Sequence, residues 1–188
     1  MKAESMRWRR LDVRGADECT LCSLSDGWRL DGSASFELEN EPAELHYSVL
    51  CSLDFQTRRA TVHGTIAARR VEFVIERRAE GWLLDGKGVL AIADCIDVDL
   101  GFTPATNLLP VRRLALAENQ SADAPAAWLD VARGTLERLP QRYQNRGAGK
   151  YWYEAPSVGY AALLEVDGSG FVVDYPGLWT STSKDVSS

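Results

Sequence analysis

Residues 94–114 read Asp-Cys-Ile-Asp-Val-Asp-Leu-Gly-Phe-Thr-Pro-Ala-Thr-Asn-Leu-Leu-Pro-Val-Arg-Arg-Leu. In the first part of this stretch three apolar residues alternate with Asp97 and Asp99. Strict alternation is typical of a β-strand, which sends successive side chains to opposite faces. The stretch therefore predicts a strand with two carboxylates on one face and apolar residues on the other.

The second part of the stretch predicts an ordered loop and then another strand. Pro104 interrupts the first strand, and Pro110 lacks a ladder donor just before an apolar run that carries two arginines, 111–114. A short helix over 103–109 is an alternative, because Thr103 can cap such a helix and Pro104 fits its first position.

Opposite charges flank this loop. Asp97 and Asp99 precede it, and Arg112 and Arg113 follow it, so the carboxylates and guanidinium groups can meet as structural ion pairs. If the two arginines lie on a strand, their side chains leave from opposite faces. At most one of them could then face a bound ligand.

Period-two patterns recur along most of the chain. Residues 45–55, 59–67 and 70–78 each alternate, with connections short enough for hairpins, and an Asp-Gly-Ser-Gly turn at 167–170 joins two later strands. Helical patterns are weak. We predict an all-β fold, or a β-dominated α+β fold, with over half of the residues in antiparallel strands and little helix.

Composition limits the class of protein. The chain has 188 residues, of which 45% are hydrophobic, and a formal net charge of −6. We predict one domain over 1–188, with a folded core at 10–180 and a frayed tail at 181–188. The negative charge disfavours nucleic acid as a partner. No stretch has the pattern of an export signal or a transmembrane segment, so the cytoplasm is the expected compartment.

Patterns typical of metal sites and catalytic sites are weak. Cys19 and Cys22 have the Cys-x-x-Cys spacing but no second pair to complete a metal site, and free thiols are the favoured interpretation. His46 and His63 lack the neighbours of a catalytic triad or of a metal-binding helix. We predict neither a metal nor a cofactor.

The string from Asp97 to Leu114 resembles the signature of a bacterial family called the putative glycolipid-binding proteins. Gln141 and Tyr143, which precede an aromatic strand at 151–153, and the segment 166–179 fit the same family. The resemblance implies an antiparallel β-meander curled into a half-barrel, similar in shape to the lipoprotein carriers of the bacterial envelope. It implies lipid binding through that shape, and no catalytic residues.

The concave face of such a half-barrel could hold an acyl chain, provided that it is apolar and that no side chain or helix fills it. The mouth would then need polar groups for a headgroup and flat rings on which a sugar can stack. The polar candidates are Thr103, Thr106, Asn107, Arg112 and Arg113, and the aromatic candidates are Tyr143, Tyr153, Tyr175 and Trp179. We therefore predict a protein that binds a lipid, a glycolipid or a similar amphipathic small molecule.

Two alternatives remain from the sequence. One is an enzyme of carbohydrate or lipid metabolism that uses Asp97 or Asp99, whose Cα atoms would lie about 6.6 Å apart on a strand. Both side chains would leave from one face, whereas glycosidase carboxylates flank the bond from opposite sides, which disfavours this alternative. The other is a structural homodimer in which a partner chain covers the concave sheet.

Overall fold

The computed structural model describes residues 3–182. Strands dominate this range, and it contains one α-helix, α1 (Leu108–Leu114). The strands are β1 (Ala3–Arg10), β2 (Gly15–Leu24), β3 (Gly27–Leu38), β4 (Glu41–Cys51), β5 (Thr57–Ile66), β6 (Arg69–Arg78), β7 (Gly81–Leu84), β8 (Lys87–Val89), β9 (Asp97–Asp99), β10 (Ser121–Asp123), β11 (Ala126–Asp130), β12 (Thr135–Leu139), β13 (Arg142–Asn145), β14 (Lys150–Ala155), β15 (Tyr160–Val166), β16 (Val172–Tyr175) and β17 (Trp179–Ser181). The predicted β-dominated fold is confirmed.

Fourteen strands form one large antiparallel sheet in the order β10-β13-β14-β15-β16-β17-β1-β2-β3-β4-β5-β6-β7-β8. Two meanders, β1–β8 and β13–β17, join where the last strand pairs with the first, with Trp8 opposite Ser181. Over residues 3–182 the sheet is not closed, because β10 and β8 remain its two edges. The tail predicted to fray begins at Ser181, which is paired in β17, and from residue 183 onward it lies outside the described residues.

A second, three-stranded sheet has the order β12-β11-β9. Its β9 runs parallel to β11, and β11 is antiparallel to β12. The backbone N–H of Val98 donates to the Thr57 hydroxyl, 3.0 Å away, which ties β9 to β5 of the large sheet. The small sheet thus holds the predicted Asp97–Asp99 strand against the large one.

Strand patterning explains which face of the large sheet is buried. In β4 the residues Ala43, Leu45, Tyr47, Val49 and Cys51 are buried, while most residues between them are exposed. This period of two places one apolar face inward, as the sequence predicts. The buried residues of the strands and of the segment 95–114 form one hydrophobic cluster.

The inner face of the large sheet is filled by the chain itself. Phe102 stacks on Phe36 with ring centroids 5.9 Å apart and meets Tyr47 edge-on at 5.8 Å. Leu100 and Leu108 are fully buried in the same cluster. The condition for an acyl chain in the concave face, that nothing fills it, is therefore not met in this structure.

The segment predicted as a cationic strand is helical. A 3-10 turn (Ala105–Asn107) leads into α1, which ends at Ala115 in the left-handed conformation with φ 43°. Pro110 lies in the first turn of α1, where backbone N–H groups have no partner within the helix in any case. The strand prediction over 111–114 was wrong because it treated Pro110 as a strand boundary. The alternative prediction, a helix at 103–109, begins two residues before the observed 3-10 turn and ends five residues before the end of α1.

One buried ion pair fixes α1 against β9. The Arg113 guanidinium donates to both carboxylate oxygens of Asp97, with Nε–Oδ1 at 3.0 Å and Nη2–Oδ2 at 2.7 Å. The side chains are 14% and 1% exposed. Burial raises the pKa of Asp97, and the arginine opposes that shift. The helix therefore neutralises a carboxylate that the fold removes from water.

A second buried carboxylate holds the loop before α1. Asp17 accepts hydrogen bonds from the hydroxyls of Tyr47 and Thr103, and Thr103 in turn accepts one from the backbone N–H of Ala105. Burial raises the pKa of Asp17 to about 7 against the hydrogen bonds, which favour the charged form.

Membrane-spanning helices are not found in the described part of the chain. Over residues 3–182 no helix is both long enough and apolar enough to cross a bilayer.

Asp17 should make stability depend on pH. Between its ordinary pKa of 3.8 and its folded value of about 7, the folded chain keeps a proton that the unfolded chain has lost. The stability contributed by the protonated carboxyl is therefore complete below pH ~4 and is lost as the pH rises to about 7. Asparagine cannot ionise, so Asp17→Asn does not lose this stability. Its free energy of unfolding in urea, relative to that of the wild-type protein, should therefore rise by about 4 kcal/mol between about pH 4 and pH 8.

The matched control for Asp17→Asn is Glu37→Gln, because Glu37 is an exposed carboxylate on the neighbouring strand β3. The difference in free energy of unfolding between this control variant and the wild-type protein should stay nearly constant over the same pH series. If the free-energy difference for Asp17→Asn is equally independent of pH, the Asp17 carboxyl is not held in its protonated form by burial.

Removing Arg113 alone should leave Asp97 as an unpaired buried charge. We expect Arg113→Met to lower the free energy of unfolding by about 3–5 kcal/mol, and the double variant with Asp97→Asn to cost clearly less than the sum of the two single changes. Arg7→Met breaks an exposed ion pair and should cost about 1 kcal/mol or less. Additive single and double costs in denaturant unfolding would show that the pair does not act as a unit.

Candidate functional site

A pocket of about 280 Å³ opens where β14 to β17 meet the loop between β9 and α1. Its walls combine aromatic rings with a few polar groups. The lining residues are Asp99, Gly101, Thr103, Asn107, Trp128, Leu139, Tyr153, Ala155, Val158, Tyr160, Tyr175, Leu178 and Trp179. We call this the tyrosine pocket.

The aromatic wall follows from strand pairing. Tyr153 lies opposite Ala162, so Tyr160, two residues earlier on β15, leaves from the same face of the sheet. The ring centroids of Tyr153 and Tyr160 are 6.1 Å apart, and Tyr175 lies 5.8 Å from the first and 5.3 Å from the second. Three rings from three neighbouring strands therefore form one continuous surface.

The tyrosine hydroxyls are donors and stay protonated. Burial raises the pKa values of Tyr153 and Tyr175 well above the usual range, and it raises that of Tyr160 to about 12. Tyr160 donates to the carbonyl of Pro176 at 2.6 Å, which fixes its ring at the edge of the pocket. At neutral pH the wall is therefore uncharged.

Asp99 provides the carboxylate of the tyrosine pocket. Its Oδ1 accepts from the Gly101 N–H at 2.8 Å, and its Oδ2 accepts from the Gln141 side-chain amide at 2.6 Å. A carboxylate can accept about four hydrogen bonds, so each oxygen retains acceptor capacity. Burial raises the pKa of Asp99 against these two hydrogen bonds.

The predicted ion pair of Asp99 with an arginine is not formed in the described structure. Asp99 bonds to backbone and amide donors, while Arg113 is held by Asp97. Both arginines lie on α1, where Arg113 pairs with Asp97 and Arg112 rests on the Phe55 ring.

The loop that follows Asp99 requires glycine at its second position. Gly101 has φ 67°, a conformation that favours glycine. A Cβ placed there would lie 2.4 Å from Trp128 Nε1, closer than any stable contact. The absence of a side chain thus lets Trp128 approach the loop and complete one wall of the pocket.

The structure brings five of the predicted ligand residues together in this pocket, namely Thr103, Asn107, Tyr153, Tyr175 and Trp179. The other four lie elsewhere. Thr106 accepts from the Leu100 N–H at 3.4 Å, and Tyr143 lies fully buried behind Tyr153, where its hydroxyl accepts from the Asn107 amide at 2.8 Å. Arg112 rests on the Phe55 ring and donates to the Ser169 carbonyl, and Arg113 pairs with Asp97.

Four polar or aromatic residues in or near the pocket were missed as ligand candidates: Gln141, Tyr160, Trp128, and Asp99, which was predicted as an ion-pair or catalytic residue. The position of Tyr160 could have been predicted, because a hairpin between the strands at 151–155 and 160–166 puts it on the same face of the sheet as Tyr153. Trp128 and Gln141 gave no comparable signal, since their place depends on how the small sheet packs.

The cysteines and histidines do not contribute to the pocket. Cys19 and Cys22 lie three residues apart on β2, so their side chains leave from opposite faces, and all four cysteines are free thiols. His46 and His63 stack with ring centroids 5.4 Å apart on exposed positions. Within residues 3–182 no group of three or more such side chains could hold a metal ion.

Comparisons with known proteins agree with this fold. A family model described as "Putative glycolipid-binding" matches residues 5–181. A crystal structure of a DUF1089 family protein from Pseudomonas aeruginosa is similar with a TM-score of 0.78 and 27% sequence identity, over 88% of this chain and 91% of that one. A search of curated proteins finds no match. Because the family model spans nearly the whole sequence, the resemblance is confirmed, and the chain belongs to the family of putative glycolipid-binding proteins.

Proposed function

We propose that the protein binds the polar head of an amphipathic, glycolipid-like molecule in the tyrosine pocket. The description of the family supports a ligand of this class. The observation that carries the proposal is a carboxylate with free acceptor capacity, Asp99, set beside a wall of three protonated tyrosines.

This combination suits a sugar. Neighbouring sugar hydroxyls can donate to the two oxygens of Asp99, and charge-assisted hydrogen bonds are the stronger ones. The apolar face of a sugar ring can pack on the rings of Tyr153 and Tyr175, which contribute a flat surface with a polar edge. Tyr160 uses its hydroxyl proton on the Pro176 carbonyl, and the hydrogen bond between Tyr153 and Tyr175 uses one of their two. Donors for the remaining ligand oxygens are therefore the other hydroxyl of that pair and the second N–H of the Asn107 amide.

The size of the pocket limits what can enter. Its volume of about 280 Å³ equals the space that roughly nine water molecules occupy in liquid water. It falls just below the range of about 300–1,000 Å³ for pockets of drug-sized ligands. One sugar ring fits this space, whereas a sugar ring together with a long acyl chain does not.

The acyl chain must therefore leave the pocket. The inner face of the large sheet is occupied by the segment 95–114. Val158, 53% exposed, and Leu178 lie among the lining residues and give the mouth an apolar border. We infer that the tail passes this border and remains outside the fold.

The arrangement of carboxylates supports binding over hydrolysis. Among the described residues that line the tyrosine pocket, Asp99 is the single carboxylate, and Asp97 is turned toward Arg113. Most glycoside hydrolases use two carboxyl groups that flank the bond.

Binding can be tested with short-chain alkyl glycosides below their micellar concentration, with the corresponding alkyl alcohol as the control ligand. Asp99→Asn should weaken binding of the glycosides by about 10- to 150-fold, because it removes hydrogen bonds to a charged acceptor. Asp26→Asn, in the exposed turn between β2 and β3, should leave binding unchanged. Calorimetry that finds no glycoside binding, or binding indifferent to Asp99→Asn, would overturn the proposal.

The same binding should depend on pH in a defined direction. Sugar hydroxyls that donate to Asp99 favour its ionised form, and burial raises the pKa of this carboxyl. Affinity should therefore fall on acidification at a pH above the ordinary range of an aspartate, about 3.9. Asp99→Asn should remove this dependence. A wild-type affinity that stays constant down to about pH 4 would show that the ligand does not depend on the carboxylate.

A further inference from the structure

The tyrosine pocket contains a carboxylate that no cation of the described chain balances. The two hydrogen-bond donors to Asp99, the Gly101 backbone N–H and the Gln141 side-chain amide, are both neutral. Over residues 3–182 no ion pair of Asp99 is found, and no lysine, arginine or histidine is among the described residues that line the pocket. A positively charged group of a ligand would therefore meet an unpaired carboxylate.

Charged groups around the pocket do not replace this cation. The arginines in the surrounding elements are each held by an aspartate, in the pairs Arg10–Asp12, Arg113–Asp97, Arg138–Asp94 and Arg142–Asp123. The Arg10 guanidinium also rests on the Trp179 ring, 5.2 Å from its centre. Burial, and then the negative charge of Asp174, raises the pKa of Tyr160, so a further carboxylate acts on this side of the pocket. The surroundings thus favour a positive charge in the ligand.

The aromatic rings of the pocket are inclined to one another. The planes of Tyr153 and Tyr175 meet at 79°, those of Tyr160 and Tyr175 at 63°, and those of Tyr153 and Tyr160 at 50°. Rings at such angles border a space from more than one side. The face of an aromatic ring is negative and attracts a cation within about 6 Å of its centre, and proteins recognise ammonium ligands with groups of such rings.

The free polar groups of the pocket are richer in acceptors than in donors. Both oxygens of Asp99 retain acceptor capacity, and the Tyr160 hydroxyl, whose proton goes to a backbone carbonyl, can accept through its oxygen. The free donors are one hydroxyl of Tyr153 and Tyr175 and one N–H of Asn107. A primary ammonium group brings three donors and no acceptor, so it matches this set. A quaternary ammonium group would leave the acceptors unused, and Asp99 would repel a phosphate.

We propose that the head bound in the tyrosine pocket carries a protonated primary amine, and hence that the ligand is a glycolipid-like molecule with an amino sugar. This inference rests on the proposed function of the pocket. The ammonium group donates to Asp99 and lies against the tyrosine rings, and the hydroxyls of the same sugar use the remaining donors. A neutral sugar would leave the charge of Asp99 without a counterion.

The test compares glycosides that share one alkyl tail and differ at the amine. The probes are alkyl glucosaminide and galactosaminide, each with its N-acetylated form and its neutral parent glycoside. Calorimetry is done below the micellar concentrations and at about pH 7, below the ordinary pKa range of such an amine. With the wild-type protein at least one free amine should bind about 10- to 100-fold more tightly than its neutral parent, because it adds charge-assisted hydrogen bonds and a cation–π contact. The uncharged N-acetylated form should show no gain.

Variants of the protein assign this gain to the pocket. Asp99→Asn should remove the preference for the amine over its neutral parent. Glu165→Gln removes an exposed carboxylate on β15 and changes the net charge by the same amount, so it controls for a general attraction of cations to the acidic protein. The preference should be unchanged in this control. Tyr160→Leu should lower the preference more than Tyr160→Phe, because phenylalanine keeps the aromatic face.

The outcomes separate this inference from the proposed function. Neutral glycosides that bind through Asp99 as tightly as the amines do would overturn the amino-sugar inference and leave the proposed function intact. A preference for the amine that survives Asp99→Asn, or that Glu165→Gln abolishes equally, would overturn the inference as well, because the cation would then bind elsewhere. Absence of binding by every glycoside would overturn both.

Discussion

The structure depends on the burial of one segment, 95–114, in the inner face of an open sheet. Among the described residues the large sheet has two free edges and no strand pair that closes it, so its two meanders need a common core. Phe102 meets the first meander through Phe36, and Asn107 meets the second through its hydrogen bond to Tyr143. Full burial of a Leu or Phe side chain stabilises by about 1.5–3 kcal/mol, so the apolar residues of this segment contribute a large share of the folding energy.

Filling the interior also determines where a ligand can bind. The segment occupies the space that an acyl chain would need, and the tyrosine pocket lies where the loop of the segment meets the last strands. Asp99 serves both purposes there. One oxygen fixes the turn at Gly101 and the other orients Gln141, so the carboxylate that shapes the loop also faces the tyrosine pocket.

Local patterns in the sequence predicted the strands well. The alternation around Asp97 and Asp99 gave the short β9, and the period-two runs gave the β4 to β6 meander. α1 was missed because Pro110 is compatible both with a strand boundary and with a first helical turn, and only packing against the sheet decides between them. The place of Arg112 on the Phe55 ring was missed for the same reason, whereas the ion pair of Arg113 with Asp97 is one that the charges flanking the loop predicted.

The candidate site was predictable in part, and the limit is physical. Tyr153, Tyr175 and Trp179 lie on strands whose inward face follows from alternation, so their meeting in one pocket could be anticipated. Gln141 and Trp128 reach the pocket through β11 to β13, and their positions depend on contacts between distant parts of the chain. The local sequence pattern around Gln141 or Trp128 therefore cannot predict these contacts.

Hydrogen bonds within the protein already hold the pocket in one shape before any ligand arrives. Thr103 is fixed by Asp17, and Tyr160 by the carbonyl of Pro176. In the described residues every buried side-chain polar atom has a hydrogen-bond partner. A ligand therefore does not have to order these side chains, a cost of about 0.5–1.5 kcal/mol for each flexible one. The remaining acceptor capacity of Asp99 is then available for the ligand. A small pocket whose polar groups are already fixed in place can select a ligand by its hydrogen bonds.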